Sequence, residues 1–225
     1  MKKISIKDVV EFTRKSDRRK HSFATSLKQG KEKNNPDGGG DYWVSAISAV
    51  SNSYKLNIMQ PVIDKRYELE EKYEETSHRG TKIMYRRNID ILYGCEEFDL
   101  TQWRPLQKIK FMKKYREHSI LSINGLQIQV IPNHVFAFKN GDIEEIGAIW
   151  FIAKLDGYKR QELGMFVDIL QRYLSRNFSD GYRINPEYCV VVDIVKGSFL
   201  NYLQLKNENI PELLDSTIEE IKNLM

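Results

Sequence analysis

Two stretches of this chain, IGAIWFIA at 146–153 and YCVVVDIV at 188–195, are apolar almost without interruption. A strand with one wet face alternates apolar and polar side chains, so runs like these must be covered on both faces. Between them Leu163, Phe166, Val167, Leu170 and Leu174 recur at three- and four-residue steps, the pattern of an amphipathic helix, with Gly157 just before it. Upstream, IQVIPNHVFAF leads into Asn140-Gly141, a strong hairpin signal. Ile128 to Val195 therefore reads strand, hairpin, strand, helix, strand. The expected fold class is α/β, a mixed sheet flanked by helices.

The flanks complete the pattern. Asn124-Gly125 separates SILSI from LQIQVI, a second hairpin signal, and LQKIKFM alternates weakly through Leu106, Ile109 and Phe111. Gly197 turns into SFLNYLQL, read as a final strand, and Pro211 opens a C-terminal helix with Leu213, Leu214, Ile218, Ile221 and Leu224. The first hundred residues read as helical. Ser5 caps a helix carrying Val9, Val10 and Phe12, and Asp17 starts a second through Phe23 and Leu27. Asp41 caps a third with Trp43, Ile47 and Val50, Pro61 sits in the first turn of a fourth, and KIMYRRNIDILYG forms a fifth. Residues 1–100 are thus expected to form a helical region and 101–225 an α/β core, the two sharing one core or not. The triple glycine at 38–40 lacks a following Gly-Lys-Ser/Thr and reads as a loop, not a phosphate cradle.

Composition excludes several classes. No stretch approaches the roughly 18 apolar residues of a membrane span. MKKISIKDVVEF lacks the unbroken apolar core of a secretory signal, so a cytoplasmic protein is expected. Cys95 and Cys189 are far apart and form no zinc-type spacing. The net charge of +4 is modest, but the cations cluster. Residues 14–33 include Arg18, Arg19 and Lys20, and 104–116, which hold no acid, include Lys110, Lys113 and Lys114. Both runs are candidates for neutralising phosphates, or are solvated faces.

The order of elements over 119–195 resembles the core of the PD-(D/E)XK nuclease-like superfamily, in particular its RecB-like members. That family places an acid on the second strand and acid-x-Lys on the third, where they hold Mg²⁺ or Mn²⁺ for phosphodiester cleavage. Here Pro132-Asn133 stands where Pro-Asp is expected, and Ala148-Ile149-Trp150 where acid-x-Lys is expected. Glu162-Leu163-Gly164-Met165-Phe166 is a loose echo of the family's helix signature. The resemblance implies a restriction-endonuclease-like core beside the helical N-terminal region, and a nuclease-like nucleic-acid-binding protein, catalytically impaired because Asn133, Ala148 and Trp150 replace the acids and the lysine. A mobile-element setting would suit it.

Two other readings stay open. Displaced ligands, Glu145 with Lys154 and Asp193, could rebuild a metal-dependent site, with Mg²⁺ or Mn²⁺ as cofactor. Asp193 stands out as the only charge within VVVDIV, and a buried carboxylate needs a partner. His134 neighbours Asn133 and is a further candidate ligand or base. In the third reading the core is a scaffold and the helical half docks a protein partner.

Overall fold

A computed structural model describes residues 3–29, 42–113 and 119–225. The triple-glycine loop, the Asp41 cap, Lys114 and His118 lie outside the described residues. The elements in chain order are β1 (Ile4–Ser5), α1 (Ile6–Thr13), α2 (Asp17–Lys28), α3 (Val44–Leu56), α4 (Gln60–Glu75), α5 (Arg79–Cys95), a 3₁₀ turn (Leu100–Trp103), β2 (Lys110–Phe111), β3 (Ile120–Ile123), β4 (Leu126–Gln129), β5 (His134–Asn140), β6 (Ile143–Ile152), α6 (Arg160–Phe178), β7 (Arg183–Asp193), β8 (Ser198–Asn201), α7 (Tyr202–Asn207) and α8 (Leu214–Asn223).

The main sheet has the order β2-β5-β6-β7-β8. Its centre is the pair of apolar runs: β6 and β7 are parallel and joined through α6, while β5 and β8 flank them antiparallel. Alternation along each strand sorts the core into two halves. Ala148, Trp150, Ile152, Cys189 and Val191 face a cluster built with α1, α2, α6 and α8. Ile149, Phe151, Val190 and Val192 face a second cluster built with α3, α4 and α5. The fold is therefore α/β, a mixed sheet covered by helices on both faces. Each cluster combines residues from before and after position 100.

Local chemistry explains most boundaries. The Ser5 hydroxyl accepts from the Asp8 amide at 3.1 Å, capping α1. Asn124 and Gly125 both have positive φ, as a two-residue turn between β3 and β4 requires. In the second hairpin Asn140 still pairs with Ile143, and Gly141 at φ +61° takes the first turn position. β6 and β7 lose register at Gly147, opposite which β7 carries Asn185, Pro186, Glu187 and Tyr188 out of the ladder. Pro186 has no N–H to give, and a Cβ on Gly147 would lie 2.7 Å from the Cβ and carbonyl of Tyr188.

Several expectations are corrected. SFLNYLQL is strand only through Asn201, whose side chain accepts from the Gln204 amide at 2.7 Å and begins α7. Pro211 precedes α8 rather than opening it. LQKIKFM contributes only Lys110 and Phe111 to the sheet, and Leu106 is fully exposed. Ile4 and Ser5, ahead of α1, pair parallel to β4 in a small second sheet of order β1-β4-β3. Among the described residues no helix is long and apolar enough to cross a membrane.

Candidate functional site

The three candidate catalytic residues are not brought together. Glu145 lies in register with Arg183 near one end of the β6–β7 pair, and Asp193 with Ile152 at the other. Seven strand steps, at roughly 3.3 Å each, separate these ends by about 23 Å. Each residue is engaged locally. Glu145 is buried beside the β7 interruption, where it binds Arg183, with Nε at 2.9 Å, and accepts from Asn185 Nδ2 at 2.7 Å. Burial pushes its pKa up, but Asn185 and Arg183 more than offset this and leave it below the usual carboxylate value. Lys154 donates to Glu11 at 2.5 Å, tying the end of β6 to α1.

Asp193 is wholly buried and is satisfied by backbone amides instead of an arginine. It accepts from Tyr158 at 2.7 Å and Val195 at 3.0 Å. Burial raises its pKa, and the amide hydrogen bonds only partly counter that. Among the described residues no group of three or more His, Cys, Asp or Glu side chains is placed to hold a metal ion.

The degenerate motif positions likewise have structural contacts. Asn133 Oδ1 accepts from the Phe151 amide at 2.7 Å, extending the β5–β6 ladder by one bond. Ala148 is buried opposite Val135, and Trp150 packs edge-on against Phe166 with ring centroids 5.7 Å apart. Glu162 binds Arg14 and closes a capping box at the Lys159 amide, 2.7 Å away.

Asn133 and Trp150 nonetheless border an open cleft of about 630 Å³ between α1, α3 and the β5–β6 pair. His134 stands in it, its Nε2 2.8 Å from Ser51 Oγ and 2.9 Å from the Ser51 carbonyl, its ring stacked on Tyr54. Among the described residues the cleft is lined by hydroxyls, amides and one lysine, Lys7, and by no carboxylate.

The predicted cationic residues separate. Arg18 and Arg19 are exposed on α2 and have no acidic partner among the described residues, while Lys20 is tied to Glu220 at 2.7 Å. Lys110 and Lys113 are exposed on and just after β2, at the sheet edge, whereas α2 packs in the layer of α1, α6 and α8. A third cationic group was not anticipated. Arg79, Lys82, Arg86 and Arg87 line a groove of about 490 Å³ with Tyr73, Ser77 and Ile83, where α4 turns into α5. Arg79, Lys82 and Arg86 recur at three- and four-residue steps, so they share one helix face. Lys82 lies 4.9 Å from the Tyr73 ring centroid, Arg87 reaches the Tyr42 hydroxyl at 3.4 Å, and Arg86 pairs with Asp90 at the exposed surface. Among the described residues no ion pair joins Arg79 or Lys82 to an acid.

No protein-family model, curated protein or solved structure matches the chain.

Proposed function

We propose that the chain is a nucleic-acid-binding protein of nuclease-like element order that does not cleave its ligand. The observation carrying this reading is the contrast between its acids and its cations. Glu145 and Asp193 are buried, apart and satisfied within the fold, whereas Arg79, Lys82, Arg86 and Arg87 converge on one accessible groove. Metal-assisted cleavage needs acids converging on one ion. Phosphate binding needs only cations along a tracked surface, and an aromatic ring such as Tyr73 adds a face for a base. The displaced-ligand reading has less support, because Glu145 and Asp193 occupy opposite ends of the β6–β7 pair.

A gel titration at low salt tests the proposal, with linear double-stranded DNA, single-stranded DNA and single-stranded RNA, in EDTA and in Mn²⁺. The expected result is a shift with at least one polymer in both arms, without product. Product in the Mn²⁺ arm would overturn the non-cleaving reading. No shift with any of the three would remove nucleic acid as the ligand and leave a protein-docking role.

A further inference from the structure

The α5 groove is more than a cationic surface. Among its four cations it holds two large side chains with apolar area, Tyr73 and Ile83. Ile83 follows Lys82 directly on α5 and keeps 42% of its surface exposed. Tyr73 enters from α4, half-buried, and packs against the core cluster of α3, α4 and α5, so its ring is positioned before any ligand arrives. Lys82 Nζ lies 4.9 Å from that ring's centroid, which sets a cation and an aromatic group side by side.

Covering Ile83 and the open part of Tyr73 with apolar surface is favourable. A duplex has little to offer there, because its bases are stacked and paired inside and its phosphates lie outermost. A single strand can splay a base onto an aromatic side chain while its phosphates follow the neighbouring cations. The groove volume of about 490 Å³ is also on the scale of sites that enclose small molecules, the scale of a base or two and not of a double helix. Charge sets the length of the path. From Arg79 to Arg86 the cations cover roughly 10 Å of α5, at about 1.5 Å per residue. Farther along, Asp90 pairs with Arg86, and Glu70 and Glu96 hold Arg66; at the other end Glu74 and Glu75 are exposed on α4. These carboxylates repel phosphates and confine them to the short cationic stretch. On the reading of this groove as the nucleic-acid interface, we propose that it takes a single strand in preference to a duplex, with an unstacked base laid against Tyr73 and Ile83 and the adjoining phosphates on Arg79, Lys82 and Arg86.

Fluorescence anisotropy in EDTA on the full chain tests this. The three labelled ligands are a single-stranded DNA, the same sequence as single-stranded RNA, and the DNA duplex of that sequence, at equal salt. The DNA and RNA arms distinguish the two sources of the strand. At least one single strand should bind about tenfold or more tighter than the duplex, with a slope of log K against log salt of about −2 to −3, as three or four neutralised phosphates require. Tyr73→Leu, which keeps an apolar side chain without a ring, should weaken the tighter single strand about tenfold at unchanged slope, and Tyr73→Phe should bind as wild type. Ile83→Asn, at an exposed position, should weaken it about threefold with an unaltered thermal melt. Neither Tyr73→Leu nor Ile83→Asn should change duplex affinity. A duplex bound as tightly as the tighter single strand would overturn the single-strand preference and leave nucleic acid as the ligand. So would unchanged single-strand affinity in folded Tyr73→Leu or in Ile83→Asn. Binding to none of the three ligands would remove both the preference and the nucleic-acid reading beneath it.

Discussion

Replacing Asp193 with alanine tests whether this carboxylate is an architectural group. The change removes the acceptor for the Tyr158 and Val195 amides, at 2.7 and 3.0 Å, where Tyr158 is buried. Leaving a buried donor unpaired costs about 1–3 kcal/mol. The buried Tyr158 amide carries that cost in full and the half-buried Val195 amide a part of it, and relief of the buried charge returns some, so a net loss of about 2–3 kcal/mol is expected. For a chain of this size that corresponds to a fall in melting temperature of about 4–12 °C. Urea denaturation followed by circular dichroism measures the first figure and a thermal scan the second.

The pH dependence has a definite sign. Because burial raises the folded-state pKa of Asp193, the folded form binds its proton more tightly than the unfolded chain. This stabilisation is full below the unfolded carboxylate pKa and is lost as pH rises through the folded value. Asp193→Asn cannot titrate, so the stability of wild type minus that of Asp193→Asn should fall as pH rises through this window. A wild-type melting curve for Asp193→Ala, or a difference that grows with pH, would refute the architectural assignment.

Three further outcomes follow from the same contacts. Glu162→Gln should cost about 1–3 kcal/mol, since it weakens the bond from Arg14 to a buried group. Burial pushes the Glu162 pKa up, but the Arg14 and Lys159 contacts outweigh that and hold it low, so its contribution is present above the unfolded pKa and lost as pH falls. Acid unfolding of Glu162→Gln should therefore be shallower than that of wild type. Gly147→Ala should destabilise by about 1–3 kcal/mol in urea, because the new methyl overlaps the Tyr188 backbone. Glu74→Gln with Glu75→Gln, exposed residues between Tyr73 and Ser77 of the α5 groove, should tighten oligonucleotide binding in fluorescence anisotropy, most at low salt.

The fold was more legible than the site. The β6 and β7 runs announce burial on both faces, and the 3.6-residue pattern of α6 stands between them, so the central β6-α6-β7 crossover can be read directly. Ser5, Asn124-Gly125 and Pro61 act within a few residues of themselves and mark their boundaries. β1 was not legible, because two residues that pair with Ile128 and Gln129 leave no periodicity of their own. SFLNYLQL misleads because its alternation resembles a strand, while the Asn201–Gln204 reciprocal cap that starts a helix is a weaker pattern.

Partners distant in sequence hid the roles of the acids. Glu145 as a charged residue near a hairpin gives no sign that Arg183 and Asn185 meet it, 38 and 40 positions later. The α5 cations did leave a signal. Residues 79–87 hold four cations and no acid, three of them on one helix face, but the group is shorter and holds fewer cations than the more conspicuous runs at 14–33 and 104–116.

The most direct measurement is the salt dependence of oligonucleotide binding for wild type and for the Arg79→Ala, Lys82→Ala, Arg86→Ala triple variant. If these three side chains contact phosphates, removing them should weaken binding to every sequence and lower the slope of log K against log salt by about 2–3. A triple variant that folds normally and keeps the wild-type slope and affinity would contradict the assignment of the α5 groove as the nucleic-acid interface.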